Sequence, residues 1–325
     1  MKVVLLGSLA SRERHRLEAK LQTKFTIVSL QDAEPRDVVA RELADADAMI
    51  TLHYDRTFPP APRLKLLQAA GAGVDRIELA ALPKGAVLAN AFGHEEAVAE
   101  YCVLGMLAWS HDFLEAEQSF RTGSWRMSGR FGAPIHDEIM GKTLGIVGLG
   151  RIGLATASRA KALGMTVLAC ARSIPSPAPA SVDAFMPWRE IDDFLTLCDY
   201  VVIACALTPE TAGLMNTARF ARMKRTAVIV NVARGEVVDE DALFDALQRK
   251  VIAGGIIDAW YRYPSEDDLN LPPSKHPFHE LKNVIMTPHS SAWTHGMLDR
   301  RWTQIAENLD RLQRGEALIN VVAQA

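Results

Sequence analysis

Residues 144–173 read LGIVGLGRIGLATASRAKALGMTVLACARS. An apolar run opens the stretch, glycines follow at Gly148, Gly150 and Gly153, and a segment of helical spacing leads into a second apolar run. The bare pattern Gly-x-Gly-x-x-Gly is common, but a strand candidate before it and a helix candidate after it give it weight. Each glycine answers a separate demand of a βαβ unit that holds a dinucleotide. Gly148 permits the tight turn, Gly150 lets the backbone approach a pyrophosphate, and Gly153 lets the helix pack closely on the strand. Exposed N–H groups and the dipole at the helix N-terminus then stabilise the phosphates.

The second apolar run ends on Ala171, where NAD binders usually carry a carboxylate for the ribose hydroxyls. Arg172 and Ser173 follow it. A guanidinium and a hydroxyl attract a 2′-phosphate that a carboxylate would repel. NADP(H) is therefore expected in preference to NAD(H). The other reading is an arginine that stacks on the adenine without discriminating.

Working outward, KVVLLGS, KFTIVSL, DAMITL, LKLLQAAG and AVLAN read as strands, with RERHRLEAKL helical between the first two. From Lys142 onward, KTLGIVGLG, MTVLACA, AFMPW, YVVIACAL, AVIVNVA, IAGGIIDAW and NVIMTPH form a second series. Short apolar runs separated by helical segments mark an α/β fold with parallel sheets, and the second series suits a doubly wound sheet. EEAVAEYCVLGMLAW reads as a long buried helix leading from one domain to the next. After it, RTGSWRMSGRFGAP is a polar, glycine-containing stretch. GMLDRRWTQIAENLDRLQRG, near the end, reads as a helix that returns to the first domain.

The chain has 325 residues, 49% hydrophobic and 23% charged, with a formal net charge of −3. That length suits two domains of roughly 100–200 residues with cores of their own. Scattered Lys and Arg in near balance with Asp and Glu leave no basic footprint for nucleic acid. No apolar run approaches the 18 or so residues of a membrane span. MKVVLLGSLAS reads as a first strand rather than a signal segment, because its apolar stretch is short and RERHR follows at once. Cys102, Cys170, Cys198 and Cys205 lie in apolar runs without Cys-x-x-Cys spacing, so they read as buried reduced thiols in a cytoplasmic protein.

Two polar residues stand at strand ends, where an open α/β sheet presents its ligands. Arg234 follows AVIVNVA, and His289 follows NVIMTP. A lone Arg or His is usually structural. One of each at the strand ends of a single dinucleotide-binding sheet fits a cation that binds a carboxylate and a group that moves a proton.

The ordered segments GLGRIG, LTPETAGLMN, MKRTAVIVNVARGEVVDEDAL, GGIIDAW and VIMTPHSSAWT resemble the D-2-hydroxyacid dehydrogenase family, nearly continuously from about Ala70 to Thr294. The resemblance implies two Rossmann-like domains with parallel sheets. A discontinuous, flavodoxin-like substrate domain would comprise residues 1–98 and 292–325, and a central NAD(P)-binding domain residues 99–291. It also implies a homodimer, an active site in the cleft between domains, and no metal. Hydride would pass between a nicotinamide and the C2 carbon of a small 2-oxo or D-2-hydroxy acid. Arg234 would hold the substrate carboxylate and polarise its carbonyl. His289 would be the acid in reduction and the base in oxidation. Backbone N–H groups of Ala72, Gly73 and Val74, in AAGAGVDRIEL, would grip the carboxylate as well. Arg151, Ile152, Pro209, Thr211, Val232, Ala233 and Asp258 would join the glycines, Arg172 and Ser173 around the cofactor.

Two departures stand out. Most of the family carries a glutamate before the proline of the second segment, paired with the histidine; here Tyr263 precedes Pro264. A phenol cannot raise an imidazole pKa by charge, so a lowered His289 pKa is expected. Glu266, Asp267 or Asp268 could act as substitute. The second departure is NAFGHEEAVAEY, where His94 and Glu95 either line the substrate pocket or form a solvated pair at a helix N-terminus. The aromatic group Trp260, Tyr261, Tyr263 and Trp293 suggests an apolar wall, hence a 2-oxo acid with a carbon side chain, while the resemblance itself points to a reductase of the glyoxylate or hydroxypyruvate type. The alternatives are a nucleotide-sensing corepressor-like binding protein and a phosphite or formate dehydrogenase-like enzyme.

Overall fold

Strand pairing sorts the chain into two sheets, built from apolar runs whose alternate side chains find cover on opposite faces. The computed structural model describes residues 1–264 and 268–325. The chain begins with β1 (Lys2–Leu6), α1 (Ser8–Arg12), α2 (Arg14–Lys20), β2 (Thr26–Leu30), α3 (Arg36–Leu43), β3 (Ala48–Thr51), β4 (Leu66–Ala69) and β5 (Val87–Ala89). Helices α4 (Glu95–Ser110) and α5 (Phe113–Arg121) precede β6 (Thr143–Val147), α6 (Arg151–Ala162), β7 (Thr166–Ala171) and β8 (Ala184–Pro187). Next come α7 (Ile191–Leu197), β9 (Tyr200–Ile203), α8 (Thr217–Phe220), β10 (Val228–Asn231), α9 (Glu240–Gln248), β11 (Gly254–Ile257) and β12 (Val284–Met286). The chain closes with α10 (His295–Arg314) and β13 (Val321–Gln324).

One compact unit comprises Met1–His94 and Thr294–Ala325. Its sheet has the order β13-β5-β4-β3-β1-β2. Strands β1 to β5 pair in parallel, as expected, and β13 adds on antiparallel to β5. Asn320, at φ 53°, turns the chain from α10 into β13. Helix α10 is capped by Thr294, whose hydroxyl accepts the Met297 N–H, and ends at Gly315 with φ 69°. Its buried stripe of Trp302, Ile305 and Leu309 packs with Val3, Ile50 and Leu66.

The other unit, Glu95–Trp293, carries a seven-stranded parallel sheet of order β12-β11-β10-β9-β6-β7-β8. Val147, Val201, Ile203 and Ile229 bury on one face, and Leu144, Ile146, Val202 and Val230 on the other. Burial on both faces is why these strands read as unbroken apolar runs. The order reverses at β6, which has β9 on one side and β7 on the other, and that switch point is where such a sheet leaves room for a ligand. All of α4 belongs to this unit, from Glu95 rather than from residue 99, because the helix packs as one piece along α6.

The glycine-containing stretch after α4 holds more than was expected of it. Asp112, at φ 47°, separates α4 from α5. The following segment exposes Phe113, Leu114, Phe120, Trp125, Phe131, Ile135 and Met140. Trp125 meets Phe120 and Phe131 edge-on, at centroid distances of 5.0 and 6.2 Å. Among the described residues, no helix is long and apolar enough to cross a membrane.

Candidate active site

At the switch point, Gly148 leaves β6 with φ 95°, so close to β9's continuation that a Cβ would lie 2.7 Å from the Cys205 backbone nitrogen. A side chain there would be strained and crowded at once. A Cβ on Gly153 would overlap the Gly148 carbonyl, so α6 rests directly on the turn. Gly150 is the opposite case: a Cβ would meet nothing within 4 Å. It N-caps α6 without a side-chain cap, and Arg151 and Ile152 form the first turn. Open space against the positive end of a 12-residue helix fits the phosphates of a dinucleotide.

Arg172 and Ser173 are exposed just beyond β7. The Arg172 charge reaches the loop after β9. There the Glu210 carboxyl is held low, first by the Thr208 hydroxyl and, more weakly, by Arg172. Pro209 is exposed in that loop, while Thr211 is buried as its brace, donating to Ala206 O at 2.7 Å. Cys102, Cys170 and Cys198 are buried, but Cys205 is only half-buried, which corrects the reading of four enclosed thiols. Packing still pushes the Cys205 thiol up to about 11.

The second half of the site lies beyond β10, β11 and β12. Val232 and Ala233 are buried, and the Asn231 side chain ties the turn by accepting Ala233 N–H and donating to Arg234 O. Gly235 then passes so near Trp260 that any Cβ would overlap its carbonyl. This close approach brings Arg234 beside the segment that carries Tyr263. The Tyr263 hydroxyl lies 2.7 Å from His289 Nδ1 and accepts the Trp260 backbone N–H at 3.2 Å. The phenol therefore stands where the family resemblance called for a carboxylate. Glu266 and Asp267 lie outside the described residues, and Asp268 accepts the Asn270 N–H instead.

His289 has φ 54°, a conformation L residues rarely adopt. Asp258, 1% exposed, accounts for part of that geometry. Its carboxylate accepts the Thr287 hydroxyl (2.6 Å), the Ser290 N–H (2.8 Å) and the Ser291 N–H (3.0 Å). Thr287, Ser290 and Ser291 were not singled out in the sequence; a hydroxyl-rich run with a proline after a strand is their one local sign. Withdrawal from water lowers the His289 pKa below its ordinary value, Asp258 opposes this, and the Arg234 charge lowers it further. Burial raises the Tyr263 pKa, so the phenol stays protonated in the ordinary pH range.

Trp260 is a core residue, meeting Phe278 edge-on at 5.6 Å. Tyr261 is pushed strongly upward in pKa by burial near the acidic start of α9. Tyr263 and Trp293 are the accessible pair, 43% and 50% exposed. Glu95 reaches Arg151 of the glycine loop at 3.7 Å. His94, in the other unit, stacks on Phe92 at 6.5 Å. Ala72, Gly73 and Val74, also in that unit, form a half-buried turn after β4, with Ala72 O accepting the Asn90 side chain at 2.8 Å. Among the described residues, no group of three or more His, Cys, Asp and Glu is arranged to hold a metal ion.

Residues 103–291 match the model of the D-isomer specific 2-hydroxyacid dehydrogenase NAD binding domain. Glyoxylate reductase of Thermococcus kodakarensis is 34% identical over 291 residues, 87% of this chain and 84% of that one. D-3-phosphoglycerate dehydrogenase of Methanocaldococcus jannaschii is 33% identical over 88% of this chain and 53% of its own length. Among solved structures, the D-isomer specific 2-hydroxyacid dehydrogenase of Xanthobacter autotrophicus Py2, in complex with NADPH and MES, superposes with a TM-score of 0.79. It is 26% identical, and the match covers 99% of this chain and 98% of that one.

Proposed function

We infer the reaction from one premise: the chain belongs to the D-isomer specific 2-hydroxyacid dehydrogenase family. As such it is an oxidoreductase with a nicotinamide-dinucleotide-binding domain. Our proposal is narrower: it reduces a small 2-oxo acid of the glyoxylate or hydroxypyruvate type to the D-2-hydroxy acid, with NADPH preferred over NADH. The glyoxylate reductase relatives and the NADPH-bound neighbour support this reading. So does Arg172, which stands exposed where a 2′-phosphate would need a cation.

The bound dinucleotide supplies the hydride. The backbone at Gly150, Arg151 and Ile152 would hold its pyrophosphate, and Arg172 with Ser173 its 2′-phosphate. Arg234 binds the substrate carboxylate and draws electron density from the C2 carbonyl. His289, protonated on both nitrogens, gives its Nε2 proton to the carbonyl oxygen as that oxygen becomes an alkoxide. The neutral ring keeps its proton on Nδ1, donating it to the Tyr263 oxygen. That oxygen can accept there and from Trp260 N–H together. In oxidation the same ring removes the hydroxyl proton.

The observation that carries the reading is the 2.7 Å contact between Tyr263 and His289, with the Arg234 charge acting on both. It orients an imidazole beside a cation, which is what proton transfer to the carbonyl of a small carboxylate requires. The exposed apolar side chains from Phe113 to Met140 support a homodimer, since a second copy would take them out of water.

The test is NADPH consumption by the purified protein with glyoxylate, hydroxypyruvate, pyruvate and phenylpyruvate, alongside NADP⁺ reduction with formate and phosphite. Turnover of a 2-oxo acid is expected. Tight dinucleotide binding with no turnover would replace this reading with that of a nucleotide-binding protein.

A further inference from the structure

We propose that Tyr101 and Thr287 are positioning residues for His289, acting through Asp258. The proposal rests on the reading of His289 as the proton donor. Tyr101 projects from α4, and its hydroxyl lies 2.6 Å from Thr287 Oγ1. Thr287 Oγ1 lies in turn 2.6 Å from Asp258 Oδ1. The chemistry of the groups orders the protons along this chain. A carboxylate only accepts, so the Thr287 hydroxyl donates to Asp258 and its lone pair takes the Tyr101 proton. Burial pushes the Tyr101 pKa up to about 12, which keeps the phenol a donor.

The far end of the chain is the loop that carries the imidazole. Asp258 accepts the N–H groups of Ser290 and Ser291, the two residues after His289. The Thr287 carbonyl, on the other side, accepts the His289 N–H at 3.0 Å and the Trp260 indole N–H at 2.8 Å. His289 is thus clamped from both sides while it holds a left-handed backbone conformation at φ 54°. Such a conformation persists only where the surroundings over-determine it. The anchor runs from the loop to a helix 186 residues away in sequence. The groups acting on the His289 ring are Tyr263 on Nδ1, the Asp258 charge that favours its protonated form, and the Arg234 charge that disfavours it. If the anchor is loosened, Asp258 is no longer held against the loop, and the balance shifts toward the neutral ring.

Thr287→Val, Thr287→Ser and Tyr101→Phe test this, read out by NMR titration of the His289 imidazole without substrate and by kcat and KM with NADPH and glyoxylate. Thr287→Val loses both hydrogen bonds of the Thr287 hydroxyl and should cut kcat about tenfold, whereas Tyr101→Phe loses one and should cut it about fivefold, with KM little changed. The titration midpoint of His289 should fall in both variants, and Thr287→Ser should restore it. A midpoint that stays or rises in folded Thr287→Val overturns the proposal. So does a variant that loses thermal stability alone. Should Thr287→Val fail to fold, Tyr101→Phe is judged by the same criteria. If the unaltered protein turns over no 2-oxo acid, the reading of the reaction falls, while the imidazole titration still decides the anchor.

Discussion

The Tyr263 hydroxyl sits 2.7 Å from Nδ1 of His289, on the side of the ring away from the nitrogen assigned to proton transfer. A phenol there orients the imidazole as a carboxylate would, but brings no charge to stabilise the imidazolium. The His289 pKa is accordingly set by withdrawal from water, by Asp258 and by Arg234, with a net shift downward. In the proposed mechanism the charged ring is the acid in reduction, and it exists below its pKa. Reductive kcat should therefore be highest in mildly acid solution and fall as pH rises through a midpoint below the ordinary 6.5. A pH–rate profile flat to well above neutrality would contradict this.

Restoring a carboxylate should reverse the shift. Tyr263→Glu places an anion against Nδ1 and should move the falling limb of the reduction profile upward by about one to three pH units. Tyr263→Phe removes the partner without adding charge and should lower kcat about tenfold, the cost of one charge-assisted hydrogen bond. Paired pH profiles of the two variants check both statements.

Arg234 has two effects that one substitution separates. On the proposed role, Arg234→Ala removes the cation that faces the substrate, and kcat/KM for the 2-oxo acid should fall about a hundredfold to a thousandfold. It also removes a charge that disfavours imidazolium, so the His289 midpoint should rise. Arg234→Lys should recover only part of the rate, because a point charge cannot replace a planar two-pronged donor. Steady-state kinetics across pH resolve the two effects.

Cofactor choice should follow Arg172. Arg172→Asp substitutes a carboxylate for the exposed guanidinium after β7, and kcat/KM with NADPH should drop about ten- to a hundredfold while NADH is spared or improved. The ratio of the two efficiencies, before and after the change, is the measurement. An unaltered ratio would mean that the arginine does not contact a 2′-phosphate.

The exposed aromatic group beyond α5 offers a test of assembly. Trp125 and Phe131 are 60% and 65% exposed. Introducing Trp125→Glu and Phe131→Glu together should convert a dimer to monomers in sedimentation experiments, since charge at the centre of an apolar contact is strongly disfavoured. A single species of monomer mass before any substitution would remove the homodimer from the proposal.

Much of this architecture was legible in local sequence. The inner strands, such as β3, β4, β9, β10 and β11, carry apolar runs because both faces of their sheets are buried, and that demand is written residue by residue. The glycine loop was legible for a similar reason. A tight turn, an open approach and a helix–strand contact each require the absence of a side chain at one defined position. β13 escaped notice because Val321 and Val322 are half-exposed at a sheet edge, where little burial shapes the sequence.

Tertiary structure alone decided how the histidine is held. That Tyr263 meets His289, that Asp258 ties down the loop around it, and that Tyr101 steadies Thr287 are contacts between residues spaced 26, 33 and 186 positions apart. No periodicity or composition encodes such distances. Side-chain hydrogen bonds reach only about 3 Å, so they depend on where packed helices and strand ends come to rest. The sequence by itself determined the sheets and the kind of ligand they are built to hold. Packing determined which neutral and charged groups surround the His289 imidazole, because that arrangement exists only once the chain has closed on itself.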